Sequence, residues 1–390
     1  MMHNALRIKL MSQPFYNPSL SYQENYDLGP FGGFLEEPSG EDRAALDGAV
    51  GPAEVGGLRL RRGIGIPAGP LLNSRYTEAA FKWGYDLCHY KTVRSRAWPS
   101  HPAPNVLHVR SPGQVPPDRL GREPLVARPF APGEDVDVDT LSITNSFGMP
   151  AQPPEVWQAD MERAARGAGT GQALVASVYG TQDEAGGSSA YVADFARAAA
   201  MAAETGAHAI EVNLSCPNLG GHGLLCHDSQ AAGLVCEAAR RAIGSLPLFV
   251  KLSAFPPNEE GDALLARVIA ATAPYAQGYG VVNAVPVPIV SSEGGAALPG
   301  AGRALAGVCG AALKATGLDM VRRLTRLRAS RGYDFSIIGV GGLASPADFL
   351  AYTEAGADAV QGATGPMWNH RLAVEIASSL KPGLLGLGIT

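Results

Sequence analysis

The stretch FSIIGVGGLASPADFLAYTEAGADAVQGAT (335–364) contains one complete unit of the pattern that decides the fold. Two short apolar runs, 335–342 and 357–364, end in glycine-containing turns and flank a segment of helical period at 343–356. Ser345 and the proline after it are typical of a helix start, because serine caps the first turn and proline fits the first helical position. The stretch therefore predicts a strand, a helix and a second, parallel strand.

The same alternation begins near residue 60, with helices predicted at 188–206 and 228–244 among others. With the two runs above it gives eight strands separated by helical segments, which predicts an α/β fold of the (β/α)8 TIM-barrel type. An open doubly wound sheet is the alternative. The glycines of 63–69 argue against it, because their GxGxxxG spacing differs from the GxGxxG of a dinucleotide-binding turn. The six earlier strands are predicted at 62–69, 85–92, 173–180, 207–215, 247–253 and 279–285.

Two segments do not follow this alternation. Residues 1–58 are rich in Pro, Gly, Tyr and acidic residues without a sustained period. We expect them to form an N-terminal extension that packs on the barrel or on a partner, the alternative being a partly ordered tail. The barrel domain then spans 59–390. The long interval from Thr92 to Ala173 predicts an insertion after strand 2, on the face where barrel enzymes keep their active sites.

The composition argues against several classes of protein. Of the 390 residues, 46% are hydrophobic and 17% are charged, so the chain can bury a large core. The net charge of −5 and the lack of a long Lys/Arg run argue against nucleic-acid binding. No apolar run reaches the roughly 18–20 residues of a membrane helix, and the N-terminus lacks the pattern of a secretory signal. Five sparse cysteines are typical of a reduced, cytoplasmic compartment.

Polar residues and glycines end the predicted strands, and in a barrel these ends converge on one face. Lys91, Asn213 and Lys251 stand at or near the ends of strands 2, 4 and 5. Glycine turns at 339–342 and 362–364 each precede a helix, where backbone N–H groups are suited to bind a phosphate. Glycines also serve simply to make tight turns, but two adjacent turns after the last two strands favour a phosphorylated ligand.

Lys251 follows two apolar residues and must point into the barrel mouth, because an unpaired ammonium in a dry interior is costly. There its charge would stabilise the anion that a flavin becomes on reduction. The alternative is a structural ion pair with an acidic residue such as Glu211.

Cys216 lies on the predicted loop after strand 4, between a serine and a proline. A thiol in such a loop can act as a base if its pKa is brought towards neutrality. A zinc site is the alternative, since His222, Cys226 and His227 follow closely. Their C-x5-H-x3-C-H spacing matches no common zinc pattern, and we therefore predict no metal site.

Five motifs stand out over residues 60–380, namely EVNLSCPN (211–218), ITNSFGMP (143–150), HYKT (89–92), VKL (250–252) and IIGVGG (337–342). Together they resemble those of the dihydroorotate dehydrogenase family, in the same order along the chain. The family is a (β/α)8 barrel with FMN at its mouth, and it oxidises dihydroorotate to orotate in pyrimidine biosynthesis. Its class 1 members use a loop cysteine as the base while hydride passes to flavin N5. The resemblance therefore implies a class 1-like enzyme with Cys216 as base.

The resemblance also implies roles for other residues of this chain. Lys91 would join Cys216 as a catalytic residue. The residues that would hold FMN are Ala68, Gly69, Lys91, Thr92, Asn213, Lys251, Val285, Gly310, Gly341, Gly342, Ala363 and Thr364. Those that would surround the substrate are Lys91, Asn145, Phe147, Gly148, Met149, Asn213 and Asn218. A flat ring with carbonyls, N–H groups and a carboxylate needs such amides and a cation.

One departure concerns the substrate. After strand 6 the family has an Asn followed by Ser or Thr, whereas here Val285 is followed by Pro286 and Val287, and proline offers no donor. One alternative function is therefore a related flavoenzyme that acts on another cyclic or unsaturated compound in a specialised pathway. A second alternative is a non-enzymatic relative, which the presence of both Lys91 and Cys216 argues against.

The expected partners are a small-molecule substrate, a separate electron-acceptor protein and a second copy of the chain in a homodimer. We expect neither nucleic acid nor membrane as a partner. The electron acceptor itself stays open. The chain shows no set of cysteines for an iron–sulfur cluster, so such a cluster would belong to another subunit.

Overall fold

The computed structural model describes residues 13–48, 53–182, 187–215 and 224–380. The strands are β1 (Ala53–Val55), β2 (Leu58–Leu60), β3 (Ile64–Ile66), β4 (Leu87–Val93), β5 (His108–Val109), β6 (Leu125–Arg128), β7 (Ser142–Asn145), β8 (Ala173–Val178), β9 (Ala209–Asn213), β10 (Leu248–Leu252), β11 (Gly278–Val281), β12 (Val285–Val290), β13 (Leu305–Gly310), β14 (Ser336–Val340) and β15 (Ala359–Gln361). The helices are α1 (Tyr22–Leu28), α2 (Gly40–Asp47), α3 (Ser74–Lys82), α4 (Pro154–Arg166), α5 (Gly187–Ala203), α6 (Ser229–Ile243), α7 (Glu259–Thr272), α8 (Lys314–Arg331), α9 (Pro346–Glu354), α10 (Thr364–Trp368) and α11 (Leu372–Ser379).

Eight parallel strands close into a barrel in the order β3, β4, β8, β9, β10, β11, β14 and β15, which confirms the predicted (β/α)8 fold. The helix predicted at 343–356 is α9, and its Ser345 cap accepts the hydrogen bond of Asp348 N as the sequence indicates. The helices predicted at 188–206 and 228–244 are α5 and α6. No helix within the described ranges is long and apolar enough to cross a membrane.

The amino-terminal end of the barrel is closed by the antiparallel hairpin of β1 and β2. Its side chains Val55 and Leu60 pack on inward-facing barrel residues such as Leu87, Phe249 and Ile338, and all of these are buried. We call this apolar cluster the barrel floor. The boundary that we predicted between residues 58 and 59 falls inside this hairpin, so part of the extension belongs to the barrel core.

A second, smaller closed sheet stands over the carboxyl end of the barrel and joins β12, β13, β7, β5 and β6 in that order. We call it the cap sheet. Three of its strands come from the predicted insertion after strand 2, between Thr92 and Ala173. The other two come from an insertion after β11 that the sequence did not predict. The cap sheet has its own core, which includes Leu107, Val287 and Val308.

The strand predicted at 279–285 is wrong at its carboxyl end. The barrel strand ends at Val281, and Val285 begins β12 instead. The side chain of Asn283 explains the break, because its Oδ1 accepts the hydrogen bond of Ala284 N at 2.8 Å. Such a local side-chain bond competes with the sheet ladder and redirects the chain.

Residues 13–48 pack along the outside of the barrel, from Phe15 near the mouth to Leu46, whose carbonyl accepts from Arg62 at the other end. Phe15 N donates to Met367 O at 2.9 Å, and the Phe15 ring stacks on Phe34 with the centroids 4.2 Å apart. The indole of Trp83 donates to Gly33 O at 3.1 Å. The described part of the N-terminal extension is therefore built into the barrel wall, which agrees with packing on the barrel rather than with a loose tail.

Candidate active site

A cavity of about 1130 Å³, including the space that opens to solvent, lies at the carboxyl ends of the barrel strands. The barrel mouth forms its base, and the cap sheet and the N-terminal segment form its walls. It is lined by Tyr16, Pro67, Ala68, Gly69, Pro70, Lys91, Thr92, Val106, Ile143, Thr144, Asn145, Phe147, Met149, Asn213, Lys251, Val282, Asn283, Ala284, Cys309, Gly310, Leu313, Val340, Gly341, Gly342, Leu343, Ala363, Thr364, Gly365 and Met367.

The structure brings most of the sequence-predicted site residues together in this cavity. Of those assigned to the cofactor, all line it except Val285, which sits in β12 opposite Val308. Of those assigned to the substrate, Gly148 does not line it and lies beside His101. Cys216 and Asn218 fall within 216–223, outside the described residues.

Lys251 extends from β10 into the base of the cavity and is 4% exposed. Its ammonium Nζ has no hydrogen-bond partner among the described residues. Burial lowers the pKa of Lys251, while the charge of Glu211 opposes that shift. The close ion pair with Glu211 that the sequence left open is not formed at hydrogen-bond distance. A buried, unpartnered cation at the base of a cavity is suited to an anionic or electron-accepting ligand.

The glycine turns after β14 and β15 both reach the cavity. Gly341 and Gly342 have φ values of 130° and 66°, which favour glycine and turn their backbone towards the cavity. Thr364 is buried, and its Oγ1 has no partner among the described residues. Across the cavity, Gly69 has a φ of 145°, and no atom lies within 4 Å of where its Cβ would be. These features leave polar groups and open space for a ligand that contacts the backbone closely.

The helix after the first turn does not offer its own amino terminus to a phosphate. Helix α9 begins only at Pro346, and the carboxylate of Asp348 already accepts the N–H groups of Ala344 and Ser345 at 3.0 Å each. Lys314 in turn forms an ion pair with that carboxylate. The predicted anion site is therefore confined to the glycine turn itself and to Thr364, because a fixed carboxylate already satisfies the helix start.

Three polar side chains meet where β9 and β11 end. Asn283 Nδ2 donates to Asn213 Oδ1 at 3.3 Å and to the carbonyl of Ser215 at 3.1 Å. Asn213 Oδ1 also accepts from Ser215 N at 3.1 Å. Ser215 is the last described residue before Cys216. The two amides therefore hold the described chain at the edge of the cavity, immediately before the predicted base.

The cavity is also lined by Asn283, Cys309 and Tyr16, which were not among the residues predicted from the sequence. Asn283 could have been found, since it follows a barrel strand just as Asn213 does. Cys309 gave no such signal, because it lies in a cap-sheet strand that the sequence did not predict. Burial raises the pKa of this thiol to about 12, against the opposing effects of Asn145 and Lys251. Tyr16 comes from the N-terminal extension, whose sequence shows no period that would place it.

The residues weighed for a zinc site do not face one another within the described part of the chain. Cys226 is fully buried, and His227 Nε2 lies 3.0 Å from the carbonyl of Ala254. Cys216 and His222 fall outside the described residues. Among the described residues no group of three or more His, Cys, Asp or Glu could hold a metal ion.

Comparisons with known proteins point to one family. The family model for dihydroorotate dehydrogenase matches residues 135–384. A dihydroorotate dehydrogenase of Dictyostelium discoideum is 30% identical over 370 residues, which cover 94% of this chain and 97% of that protein. The catalytic subunit of a dihydroorotate dehydrogenase B (NAD(+)) of Solidesulfovibrio magneticus is 32% identical over 196 residues, 49% of this chain and 59% of that protein.

A solved structure supports the fold independently. The dihydroorotate dehydrogenase of Eimeria tenella, determined in complex with ferulenol, matches with a TM-score of 0.65 at 18% identity, covering 88% of this chain and 86% of that one. At that identity the match shows the fold alone. The family model covers more than half of the chain, and the Dictyostelium relative extends over nearly all of it. The chain therefore belongs to the dihydroorotate dehydrogenase family of flavoenzymes and is an oxidoreductase that acts on a CH–CH bond.

Proposed function

We propose that the protein binds FMN in the mouth cavity and oxidises dihydroorotate to orotate, with Cys216 as the base. The observation that carries the proposal is the ammonium of Lys251, which is buried at the base of the cavity without a hydrogen-bond partner among the described residues. Leaving such a group unpaired is costly, so its retention favours a ligand that pairs with it. The family membership makes a flavin the natural ligand.

The residues present fit FMN. Lys251 would lie beside the ring, and the backbone at Gly69 can approach it closely because no Cβ fills the space there. The turn at Gly341 and Gly342 together with the Thr364 hydroxyl would hold the phosphate. The remaining members of the set are Ala68, Lys91, Thr92, Asn213, Gly310 and Ala363, all of which line the cavity. When bound, FMN would supply the acceptor for the hydride that the substrate loses, which carries the two electrons of the oxidation.

The substrate is proposed to lie between the flavin site and the cap sheet. Asn145, Phe147 and Met149 line that side of the cavity, and Lys91 offers a cation for the substrate carboxylate. Asn213 is held by Asn283 and can present its amide to a ring carbonyl or N–H group. A planar cyclic amide with a carboxylate uses this combination of one cation and several amides.

Cys216 is the proposed base, and Lys91 is the competing candidate. The thiolate would take the proton from one substrate carbon while the hydride leaves the adjacent carbon. Lys91 could act instead only if it were neutral, and a substrate carboxylate beside it favours the charged form. The amides of Asn213 and Asn283 fix the described chain at Ser215, the residue before Cys216.

The experiment that tests this function begins with the bound cofactor. We expect denaturation of the purified yellow protein to release one FMN per chain, and anaerobic addition of dihydroorotate to bleach the flavin with formation of orotate. Release of FAD, or a colourless protein that cannot be reconstituted with FMN, would contradict the cofactor. A flavin that dihydroorotate fails to bleach would contradict the substrate alone.

A second candidate function is the same chemistry on another cyclic or unsaturated substrate. The argument from Pro286 and Val287 is wrong, because the barrel strand ends at Val281 and Asn283, which follows it, lines the cavity and supplies an amide. What favours the second function is the next residue, Ala284, which also lines the cavity and has no hydroxyl where the family has Ser or Thr. A substrate screen that follows anaerobic flavin bleaching separates the two functions. Ordinary efficiency with dihydroorotate would rule out the second.

We further infer that electrons leave the flavin through a separate acceptor and that the chain forms a homodimer. The names of relatives include an NAD(+)-linked catalytic subunit, a fumarate-type enzyme and a quinone-type enzyme, so several acceptors occur among them. Reoxidation of the reduced protein by fumarate, NAD⁺, a quinone or oxygen in turn identifies the acceptor. Light scattering of the purified protein measures the oligomeric state.

A further inference from the structure

The barrel interior just below the cavity contains buried charged groups that the proposed reaction does not use. Glu211 of β9 and His89 of β4 are 1% and 0% exposed, and Glu211 Oε2 lies 3.3 Å from His89 Nδ1. Lys251 belongs to β10, the strand next to β9, so its side chain enters the same interior. Charges are costly in a barrel interior unless they compensate one another.

Gly280 of β11 leaves the space in which Lys251 and Glu211 face each other. A Cβ at this glycine would lie 3.4 Å from Glu211 Oε2, 3.4 Å from Lys251 Nζ and 3.1 Å from Lys251 Cδ. The carboxylate and the ammonium therefore approach the same point from the neighbouring strands β9 and β10. This arrangement gives Lys251 a counter-ion inside the barrel without a direct hydrogen bond, which leaves the Nζ donors for a ligand above.

Other charged and titratable groups approach Lys251 from neighbouring elements. Lys91 of β4 lines the same cavity, and the Cys309 thiol of β13 lies within electrostatic reach. Burial lowers the pKa of Lys251, and the neighbouring carboxylate of Glu211 opposes that effect. Burial also acts to raise the pKa of Glu211, but the neighbouring His89 and Lys251 outweigh it and hold that pKa at about 2. Glu211 is thus the ionised carboxylate on which the charge of Lys251 depends.

We propose that Glu211 is a positioning residue that keeps the Lys251 ammonium charged beneath the flavin, with His89 holding the carboxylate in place. This inference rests on the FMN site proposed above. A charged Lys251 stabilises the negative charge that the flavin gains with its two electrons. Without Glu211, Lys251 would be neutral beside the oxidised flavin and would bind a proton from solvent as the flavin is reduced. Reduction would then take up about one proton more per flavin than in the wild type.

The test is potentiometric titration of the FMN-loaded protein over a range of pH. We expect Glu211→Gln to lower the reduction potential at neutral pH. We also expect its potential to fall more steeply with rising pH than that of the wild type, by the difference in slope that corresponds to one extra proton per flavin. Glu211→Asp retains the charge and should restore the wild-type slope. Asp86→Asn is the matched control, because Asp86 is equally buried but pairs with Arg62, 3.5 Å away, beyond the other end of the barrel.

A rise in the reduction potential of Glu211→Gln at neutral pH, instead of the expected fall, would overturn the proposal. If Glu211 were only a fixed negative charge, its removal would raise the potential and leave the slope unchanged. Should Glu211→Gln not fold, Gly280→Ala provides a second variant, since its methyl group would separate the two charged ends. A wild-type slope in that variant would also overturn the proposal.

An error in the proposed FMN site can be distinguished from an error in the role of Glu211. Flavin content is measured before the titration, and a wild-type protein that holds no FMN would contradict the site and this inference together. Turnover of dihydroorotate is not needed for the titration, so a different substrate would leave the result for Glu211 intact.

Discussion

The floor and the mouth of the barrel are built on the same strands but carry opposite kinds of side chain. Along β10, Phe249 belongs to the apolar floor, and Lys251, two residues later on the same face, reaches the cavity. Along β9, Ala209 of the floor is followed on that face by Glu211 and then by Asn213 at the mouth. Each strand therefore contributes apolar packing at its start and polar groups at its end, so substitutions at the two ends test the two contributions in turn.

The largest effect is expected at the mouth, from Cys216→Ala. Removing a positioned base should slow flavin reduction by dihydroorotate by roughly 10²–10⁴-fold. Flavin content should not change, because the thiol has no proposed contact with the phosphate. Stopped-flow bleaching under anaerobic conditions measures the rate.

Two further measurements sharpen the assignment of Cys216. Wild-type turnover should rise with pH as the thiol ionises, and Cys216→Ser should keep partial activity displaced to higher pH, because a hydroxyl is a far weaker acid than a thiol. A rate for Cys216→Ala within a few-fold of wild type at neutral pH would remove this residue from the mechanism and direct attention to Lys91.

At the floor, Phe249→Ala should lower the free energy of unfolding by about 3–5 kcal/mol, because Phe249 is fully buried and its loss leaves a cavity. The folded variant should still bind FMN with the wild-type spectrum. Chemical denaturation measures the stability, and absorbance measures the flavin. Loss of flavin without loss of stability would mean that the floor and the mouth are not separable.

Lys251→Ala tests the same strand at its other end. We expect FMN affinity to fall by roughly 10–150-fold, which corresponds to the loss of a charged interaction of about 1.5–3 kcal/mol. Stability should fall as well, because the buried carboxylate of Glu211 loses one of the groups that compensate its charge, although His89 remains 3.3 Å away. Equilibrium dialysis of FMN measures the affinity, with Lys82→Ala as control, because Lys82 is a half-buried lysine of α3 that pairs with Glu37 and does not line the cavity. Unchanged flavin affinity and reduction potential would show that Lys251 is structural.

The smallest effect is expected at the rim, from Tyr16→Phe. The Tyr16 hydroxyl is buried without a partner among the described residues, and its ring lies edge-on to Phe147 with the centroids 5.7 Å apart. If a ligand accepts its hydrogen bond, the affinity for orotate should fall about fivefold, the effect of about 1 kcal/mol. Tyr22→Phe is the control, because Tyr22 also contacts Phe147 but does not line the cavity. Higher stability with unchanged orotate affinity would show that the hydroxyl serves no ligand.

The barrel could be predicted from the sequence because its signals are local. Alternating apolar runs, the Ser345 cap and the strand-end positions of Lys91 and Lys251 depend on neighbouring residues, and the structure places these lysines at the predicted mouth. The predicted phosphate turn at 339–342 likewise reaches the cavity.

The walls of the cavity could not be predicted in the same way. Cys309 and Tyr16 reach the cavity through pairings between distant segments, such as Cys309 of β13 opposite Ile143 of β7. Short strands such as His108–Val109 carry too little pattern to be recognised. The sequence predicted that the barrel strand extends beyond Val281, the observed end of β11. The run is mostly apolar, and it gives no sign that the side chain of Asn283 accepts a hydrogen bond from Ala284 N and directs the chain out of the sheet.

The cap sheet has a consequence for how the chain folds. It closes only when Leu125 of β6 meets Ile289 of β12 and Ile143 of β7 meets Cys309 of β13, and four barrel strands lie between these segments in the chain. The barrel closes over a still longer separation, because Val360 of β15 pairs with Ile64 of β3. Pairings between distant segments slow folding, so we expect both the barrel mouth and the cap sheet above it to form late, after neighbouring barrel strands have paired.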